Sequence, residues 1–174
     1  MNTPNKLTML RVVLIPVFLV VLYLDFAYAN LVAMGIFVVA SFTDFLDGHI
    51  ARKLNIVTDF GKFMDPLADK VLVFAAMMWF VELGVMPAWA VLIVIVREFA
   101  VTGLRLIAVG DGVVIAAAKS GKVKTAVTMV CLIAMFLALP PFANAVGTGL
   151  IVATTLYSGI EYFVVNKQLL NWTK

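Results

Sequence analysis

The sequence predicts an all-α integral membrane protein, a single-domain bundle of six transmembrane helices. Of its 174 residues, 64% are hydrophobic and 13% are charged, and the mean hydropathy of +1.09 is far above that of a soluble domain. A bilayer span needs about 20 apolar residues, and short polar links divide the chain into runs of that length. Basic residues lie at the ends of these runs, which favours membrane lipids and phosphorylated substrates as partners and argues against nucleic acid.

Six helices are expected, over residues 4–24, 31–52, 59–81, 86–109, 119–139 and 145–165. Proline supplies several of their boundaries. Pro4 suits the first turn of the first helix, whereas Pro140 and Pro141 are expected to end the fifth. Pro66 lies inside the third helix, where a missing backbone hydrogen bond predicts a kink.

The basic residues also predict the orientation of the chain. All 13 Lys and Arg fall at the N-terminus, around the links after the second and fourth helices, or in the C-terminal tail. The links 25–30, 82–85 and 140–144 contain none, so both termini are expected to face the cytoplasm. An alternative is a cleaved signal peptide, disfavoured because cleavage would leave an odd number of spans.

The first helix carries polar residues near its start. Lys6 and Arg11 are expected to extend to the cytoplasmic interface. Alternatively, Asn5, Thr8 and Arg11 share one helix face and would line a binding site.

The most unusual stretch is 43–70, which holds four aspartates on two predicted helices. Asp44 and Asp47 are three residues apart, and Asp65 and Asp69 are four apart, so each pair shares a helix face. The short connection 53–58 makes the two helices antiparallel neighbours. The four carboxylates are therefore expected to converge.

Such an acidic cluster requires a compensating positive charge. Four ionised carboxylates at membrane depth would cost roughly 2.5–3.5 kcal/mol each, about 10–14 kcal/mol together, which is comparable to the stability of a whole domain. Oxygen ligands favour Mg²⁺ or Mn²⁺, and four carboxylates are enough for two ions. The alternative is an acidic face solvated at the membrane edge, where Arg52 and Lys53 offset part of the charge. His49, the one histidine, is assigned no role.

A second polar cluster follows in the fourth helix and the start of the fifth: Arg97, Glu98, Thr102, Arg105, Lys119, Lys122 and Lys124. Ionisable residues at membrane depth should face the bundle interior. A structural ion pair of Glu98 with Arg97 or Arg105 is expected, and the positive surplus suits an anionic substrate. The lysines surround a helix N-terminus, which attracts anions.

The acidic stretch resembles the signature of the CDP-alcohol phosphotransferase family. Its spacing, Asp44-x2-Asp47-Gly48-x2-Ala51-Arg52-x8-Gly61-x3-Asp65-x3-Asp69, fits all the specified positions. Members of that family move a phosphatidyl or similar group from a cytidine diphosphate donor to an alcohol and release CMP. Small residues at 48, 51 and 61 would leave room for a nucleotide close to the backbone, and Arg52 suits its phosphates.

The resemblance implies a six-helix fold of that type and a set of site residues. Asp44, Asp47, Asp65 and Asp69 would hold two divalent cations, Mg²⁺ or Mn²⁺, with Asp69 also the general base. Gly48, Ala51, Arg52 and Gly61 would bind the nucleotide.

Residues 97–105 and 121–125 resemble the bacterial phosphatidylglycerophosphate synthases within the family. This implies CDP-diacylglycerol as donor and glycerol 3-phosphate as acceptor, a homodimer, and a bacterial cell membrane with the site facing the cytoplasm. The acceptor phosphate would be bound by Arg97, Arg105, Lys119 and Lys122.

Two alternatives stay open. The first is the same chemistry with another acceptor: the cationic residues argue against choline and make serine, which has no phosphate, less apt, whereas inositol phosphate suits them. A divalent-cation transporter would also use membrane carboxylates, but it is expected to show a repeated half, and helices four to six contain no second aspartate cluster.

Overall fold

A computed structural model describes residues 3–169 apart from residue 25, the segment 55–58 and residues 111, 114 and 117. At residues 3–8, 44–54, 59–63, 65, 66 and 169 only the backbone is described. Within this part of the chain there are six α-helices, one short 3-10 helix and no strand, so the all-α prediction is confirmed. The helices are α1 (Thr3–Tyr23), α2 (Ala29–Leu54), α3 (Asp59–Glu82), α4 (Ala88–Gly110), α5 (Lys119–Phe136) and α6 (Pro141–Val165), followed by the 3-10 helix Lys167–Leu169.

The largest difference from the predicted bounds lies at the link between α5 and α6. The helix α5 ends at Phe136, and Ala138 has a positive φ of 52° that stops the helix. Pro140 is the extended N-cap residue of α6, and Pro141 occupies its first position. Both prolines therefore begin α6 instead of ending α5, because a first-turn proline lacks only an N–H that would have no helical partner.

Contacts among the residues divide the chain into two compact units. The first comprises Met1–Trp79 and Phe136–Ala138. In it α1 packs along α2, and the rings of Phe18, Phe37 and Phe136 form a cluster with centroids 6.0–6.2 Å apart. Aromatic pairs at this spacing stabilise a core through the apolar area that they bury and through the favourable orientation of their rings.

Arg11 lies inside this first unit and does not extend to the interface. Its side chain is fully buried, and Nε donates to the carbonyl of Ala40 on α2 at 3.4 Å. The expectation that Arg11 reaches the membrane surface is therefore wrong. A buried guanidinium needs several acceptors, and α2 supplies one of them.

The second unit comprises Phe80–Met135 and Leu139–Lys174. In it α4 packs against α6, with Val101, Leu104 and Tyr162 at the core. The buried residues of α6 form one face, with steps of three or four positions apart from the adjacent pair at 158 and 159: Asn144, Thr148, Ile151, Thr155, Ser158, Gly159 and Tyr162. This face positions Tyr162 and Gly159 against the charged side chains of α4.

In the described part of the chain, α6 is the helix that is both long and apolar enough to cross a membrane. Two shorter apolar stretches, Met9–Tyr23 and Ala29–Thr43, lie in α1 and α2. Large apolar side chains are exposed on several helices, including Phe99 on α4 and Phe142 and Val165 on α6. Exposed apolar surface of this extent is typical of protein that contacts lipid.

Candidate active site

The four aspartates of the acidic stretch lie on the two helices predicted for them. Asp44 and Asp47 belong to α2, and Asp65 and Asp69 belong to α3. The helical backbone supports the spacing argument, because steps of three and four residues keep each pair on one face. The side chains of Asp44, Asp47 and Asp65 lie outside the described residues, as do the nucleotide-binding candidates Gly48, Ala51, Arg52 and Gly61. Their convergence stays a prediction.

Asp69 is the one predicted metal ligand whose side chain is described. It is half-buried and stands at the head of a buried face of α3, since Leu72, Val73 and Ala76 follow at helical spacing and are 0–8% exposed. The described side chains include no group of three or more His, Cys, Asp or Glu. Asp69 thus continues a helix face that is otherwise apolar and buried.

The second unit holds a compact ionic cluster between α4 and α5. Glu98 Oε1 accepts hydrogen bonds from Arg97 Nη1 at 2.9 Å and from Lys124 Nζ at 2.7 Å. All three side chains are at most 15% exposed. The expected pairing of Glu98 with Arg97 is confirmed, and two cations against one anion leave a net positive charge.

Lys124 is the partner that sequence reasoning missed. The sequence places three lysines near the start of α5, of which Lys119 and Lys122 are predicted as ligands for a phosphate. The structure buries Lys124 and leaves Lys119 and Lys122 exposed. Helical spacing from α4 alone could not have shown this, because the contact joins residues 26 positions apart.

Two glycines accommodate Arg97. A Cβ atom on Gly159 of α6 would lie 3.1 Å from Arg97 Cγ, and one on Gly121 would lie 3.6 Å from Arg97 Nη2. The first distance is tighter than ordinary contact, so the lack of a side chain at 159 lets the arginine stem pass. Arg97 Nε is buried and makes no hydrogen bond to any described residue.

Arg105 has a different environment, centred on Tyr162. Its Nε donates to the Tyr162 hydroxyl at 2.8 Å, and its Cζ lies 5.4 Å from the centre of the ring. Tyr162 is 3% exposed, so its position is fixed by packing. A guanidinium near an aromatic face gains cation–π attraction, and Tyr162 therefore holds Arg105 in one orientation.

A cavity of about 470 Å³ adjoins Tyr162 at the end of α6. Its polar lining residues are Lys119, Glu161, Tyr162 and Asn166. The four predicted acceptor-phosphate residues are thus divided between environments. Lys119 lines this cavity and Arg105 bonds to its Tyr162, whereas Arg97 belongs to the ionic cluster and Lys122 is exposed on α5.

Comparison with known proteins adds an independent line of evidence. Residues 1–159 match the family model for CDP-alcohol phosphatidyltransferase. The chain is 44% identical to a CDP-diacylglycerol–glycerol-3-phosphate 3-phosphatidyltransferase of Bacillus subtilis, over 97% of each chain. It is 38% identical to a probable phosphatidylglycerophosphate synthase of Mycobacterium tuberculosis, over 92% of this chain and 79% of that one. A Salmonella typhimurium protein with the same name as the Bacillus one is 44% identical over 75% of this chain and 74% of its own.

Proposed function

The chain belongs to the CDP-alcohol phosphatidyltransferase family, and from that premise we propose that it transfers a phosphatidyl group from CDP-diacylglycerol to sn-glycerol 3-phosphate. The products are phosphatidylglycerophosphate and CMP, so the enzyme acts in phospholipid biosynthesis. The observation that carries this is the 44% identity, over nearly the full length of both chains, to a Bacillus protein named for that reaction.

We place the enzyme in the cell membrane with six spans and with both termini and the acidic stretch in the cytoplasm. The apolar helix α6, the exposed apolar side chains and the distribution of Lys and Arg support this arrangement. The cytoplasm is the side on which nucleotides and phosphorylated small molecules are found. The family resemblance also supports a homodimer.

The acidic stretch is proposed to hold two divalent cations, Mg²⁺ or Mn²⁺, through Asp44, Asp47, Asp65 and Asp69. The residues fit such ions, because all four ligands are carboxylates on helical backbone at same-face spacing and carboxylate oxygens are the ligands that these cations prefer. When bound, divalent cations neutralise the donor pyrophosphate and the charge that develops on it. Arg52 pairs with the donor phosphates, and Gly48, Ala51 and Gly61 leave room for the cytidine.

Asp69 is proposed to act as general base. It takes the proton of the acceptor hydroxyl, and that oxygen attacks the phosphorus bearing the diacylglycerol. A new phosphorus–oxygen bond forms, the bond to the CMP oxygen breaks, and the electron pair leaves with CMP.

The acceptor phosphate is proposed to bind to the cationic residues Arg97, Arg105, Lys119 and Lys122. Arg105 and Lys119 have the strongest support, since Arg105 bonds to Tyr162 and Lys119 lines the same cavity as Tyr162. Arginine supplies a fork of donors and lysine a point charge, which together suit a phosphate monoester.

An acceptor panel tests the activity. The purified protein in detergent, with Mg²⁺ or Mn²⁺ and CDP-diacylglycerol, is expected to release CMP and form labelled lipid with radiolabelled glycerol 3-phosphate, and to release far less with serine, choline or inositol phosphate. Preferential turnover of another alcohol would overturn glycerol 3-phosphate as the acceptor but would still support the transferase chemistry of the family. A divalent-cation transporter would release no CMP with any alcohol.

A further inference from the structure

Glu161 is a charged residue of the second unit that the proposed reaction does not use. It lies on α6 directly before Tyr162 and lines the 470 Å³ cavity together with Lys119. Its Oε2 is buried and accepts no hydrogen bond from any residue that the structure describes. A buried carboxylate oxygen without a donor is unfavourable, so this oxygen is available to a donor brought by a ligand.

The lining of the cavity is rigid on the side of α6. The Asn166 side chain donates to the Tyr162 carbonyl at 2.7 Å, and the Asn166 backbone N–H donates to the same oxygen at 3.2 Å. The Tyr162 hydroxyl is bound to Arg105. Glu161 therefore stands on a helix end whose neighbours are fixed, which is what a selective contact requires.

The charges around the cavity define the chemistry of its ligand. Lys119 offers a positive charge, and Arg105 bonds to the hydroxyl of Tyr162, which lines the same cavity. Glu161 offers an acceptor. One small molecule that satisfies both is a phosphate monoester that also carries hydroxyl groups, because its phosphate matches the cations and an O–H matches the carboxylate.

We propose that Glu161 determines acceptor specificity by accepting a hydrogen bond from the hydroxyl of the phosphorylated polyol that does not receive the phosphatidyl group. This rests on the proposed function. For glycerol 3-phosphate the hydroxyl is the secondary one, at the central carbon. The carboxylate also repels an acceptor that carries its own carboxylate, such as serine, so it excludes as well as selects.

The test compares two acceptors that differ by one hydroxyl, glycerol 3-phosphate and 3-hydroxypropyl phosphate. Hydrogen bonds to charged groups correspond to about 10- to 100-fold in binding. Wild-type enzyme is expected to prefer glycerol 3-phosphate by at least about tenfold in kcat/KM. In Glu161→Gln this preference should fall to about threefold or less, through a higher KM for glycerol 3-phosphate at nearly unchanged kcat.

The acceptor without the central hydroxyl is also the folding control, since Glu161→Gln should turn it over as wild type does. Glu82→Gln, the same substitution at the end of α3, should leave the preference unchanged. An undiminished preference in Glu161→Gln, or an equal loss of turnover with both acceptors, would overturn only the proposed role of Glu161 and not the transferase activity. Absence of CMP release by the wild type with every acceptor would instead overturn the transferase activity on which the inference rests.

Discussion

The acidic stretch of α2 and α3 and the basic region of α4–α6 differ in how far the roles of their residues can be predicted from local spacing in the sequence. Four aspartates recur at steps of three and four residues within two helices, a pattern that is legible in the sequence and specific to one family. The basic residues of the second unit have no such pattern. Their roles depend on partners far away in the chain, such as Lys124 with Glu98 and Arg105 with Tyr162.

The largest expected effect tests the acidic side of this comparison. Asp69→Asn removes the proposed base while keeping the shape of the side chain, so turnover should fall by about 10²- to 10⁴-fold. Binding of CDP-diacylglycerol should survive, and calorimetry or retention on a nucleotide matrix would measure it. Asp59→Asn is the matched control, since Asp59 begins α3 but lies outside the signature. Turnover near wild type in Asp69→Asn would remove the base assignment and weaken the case for interpreting function from spacing.

The second effect tests the ionic cluster. Glu98→Gln leaves Arg97 and Lys124 buried without their carboxylate and should lower the free energy of unfolding by about 3–5 kcal/mol. Lys124→Met leaves the Arg97–Glu98 pair in place and should cost about 1–3 kcal/mol. Denaturant or thermal unfolding in detergent would measure both. A larger loss for Lys124→Met than for Glu98→Gln would contradict the view that Glu98 is the centre of the cluster.

Much of the fold could be predicted from the sequence because each helix is a local, apolar segment with polar ends. The error at the α5–α6 link has a physical cause, since proline both ends one helix and begins another, and Pro140 and Pro141 alone do not distinguish these. The burial of Arg11 escaped prediction for another reason. Its acceptor is the carbonyl of Ala40, 29 residues away, and backbone acceptors leave no trace in a sequence pattern.

The candidate site shows the same division. The family and its aspartates follow from spacing, whereas Tyr162 and Glu161 were missed because single polar residues near the end of an apolar helix look like interfacial residues. Both residues line the cavity together with Lys119. Only the arrangement in space distinguishes a tyrosine that anchors a helix in the interface from one that holds an arginine.

A third prediction concerns the close approach of Arg97 to α6. Gly159→Ala adds a Cβ 3.1 Å from Arg97 Cγ, whereas Gly149→Ala on the same helix meets nothing within 4 Å. Alanine in a helix interior is favoured over glycine by up to about 1 kcal/mol. Gly149→Ala should therefore stabilise the protein, and Gly159→Ala should be less stable than it by about 1–2 kcal/mol because Arg97 is held by Glu98 and cannot move away freely. Equal unfolding midpoints for the two variants would show that the arginine stem adapts.

The smallest expected effect separates the cavity from the ionic cluster. Tyr162→Phe keeps the ring but removes the hydroxyl that accepts from Arg105 Nε. Loss of this hydrogen bond, which orients an arginine proposed to bind the acceptor phosphate, is expected to raise the KM for glycerol 3-phosphate by about 3- to 10-fold and to leave kcat nearly unchanged. Tyr157→Phe is the control, because Tyr157 is on the same helix and 67% exposed. A fall in kcat with an unchanged KM would place Arg105 in the chemical step instead of in acceptor binding, and the basic region would then share the catalytic role assigned to the aspartates.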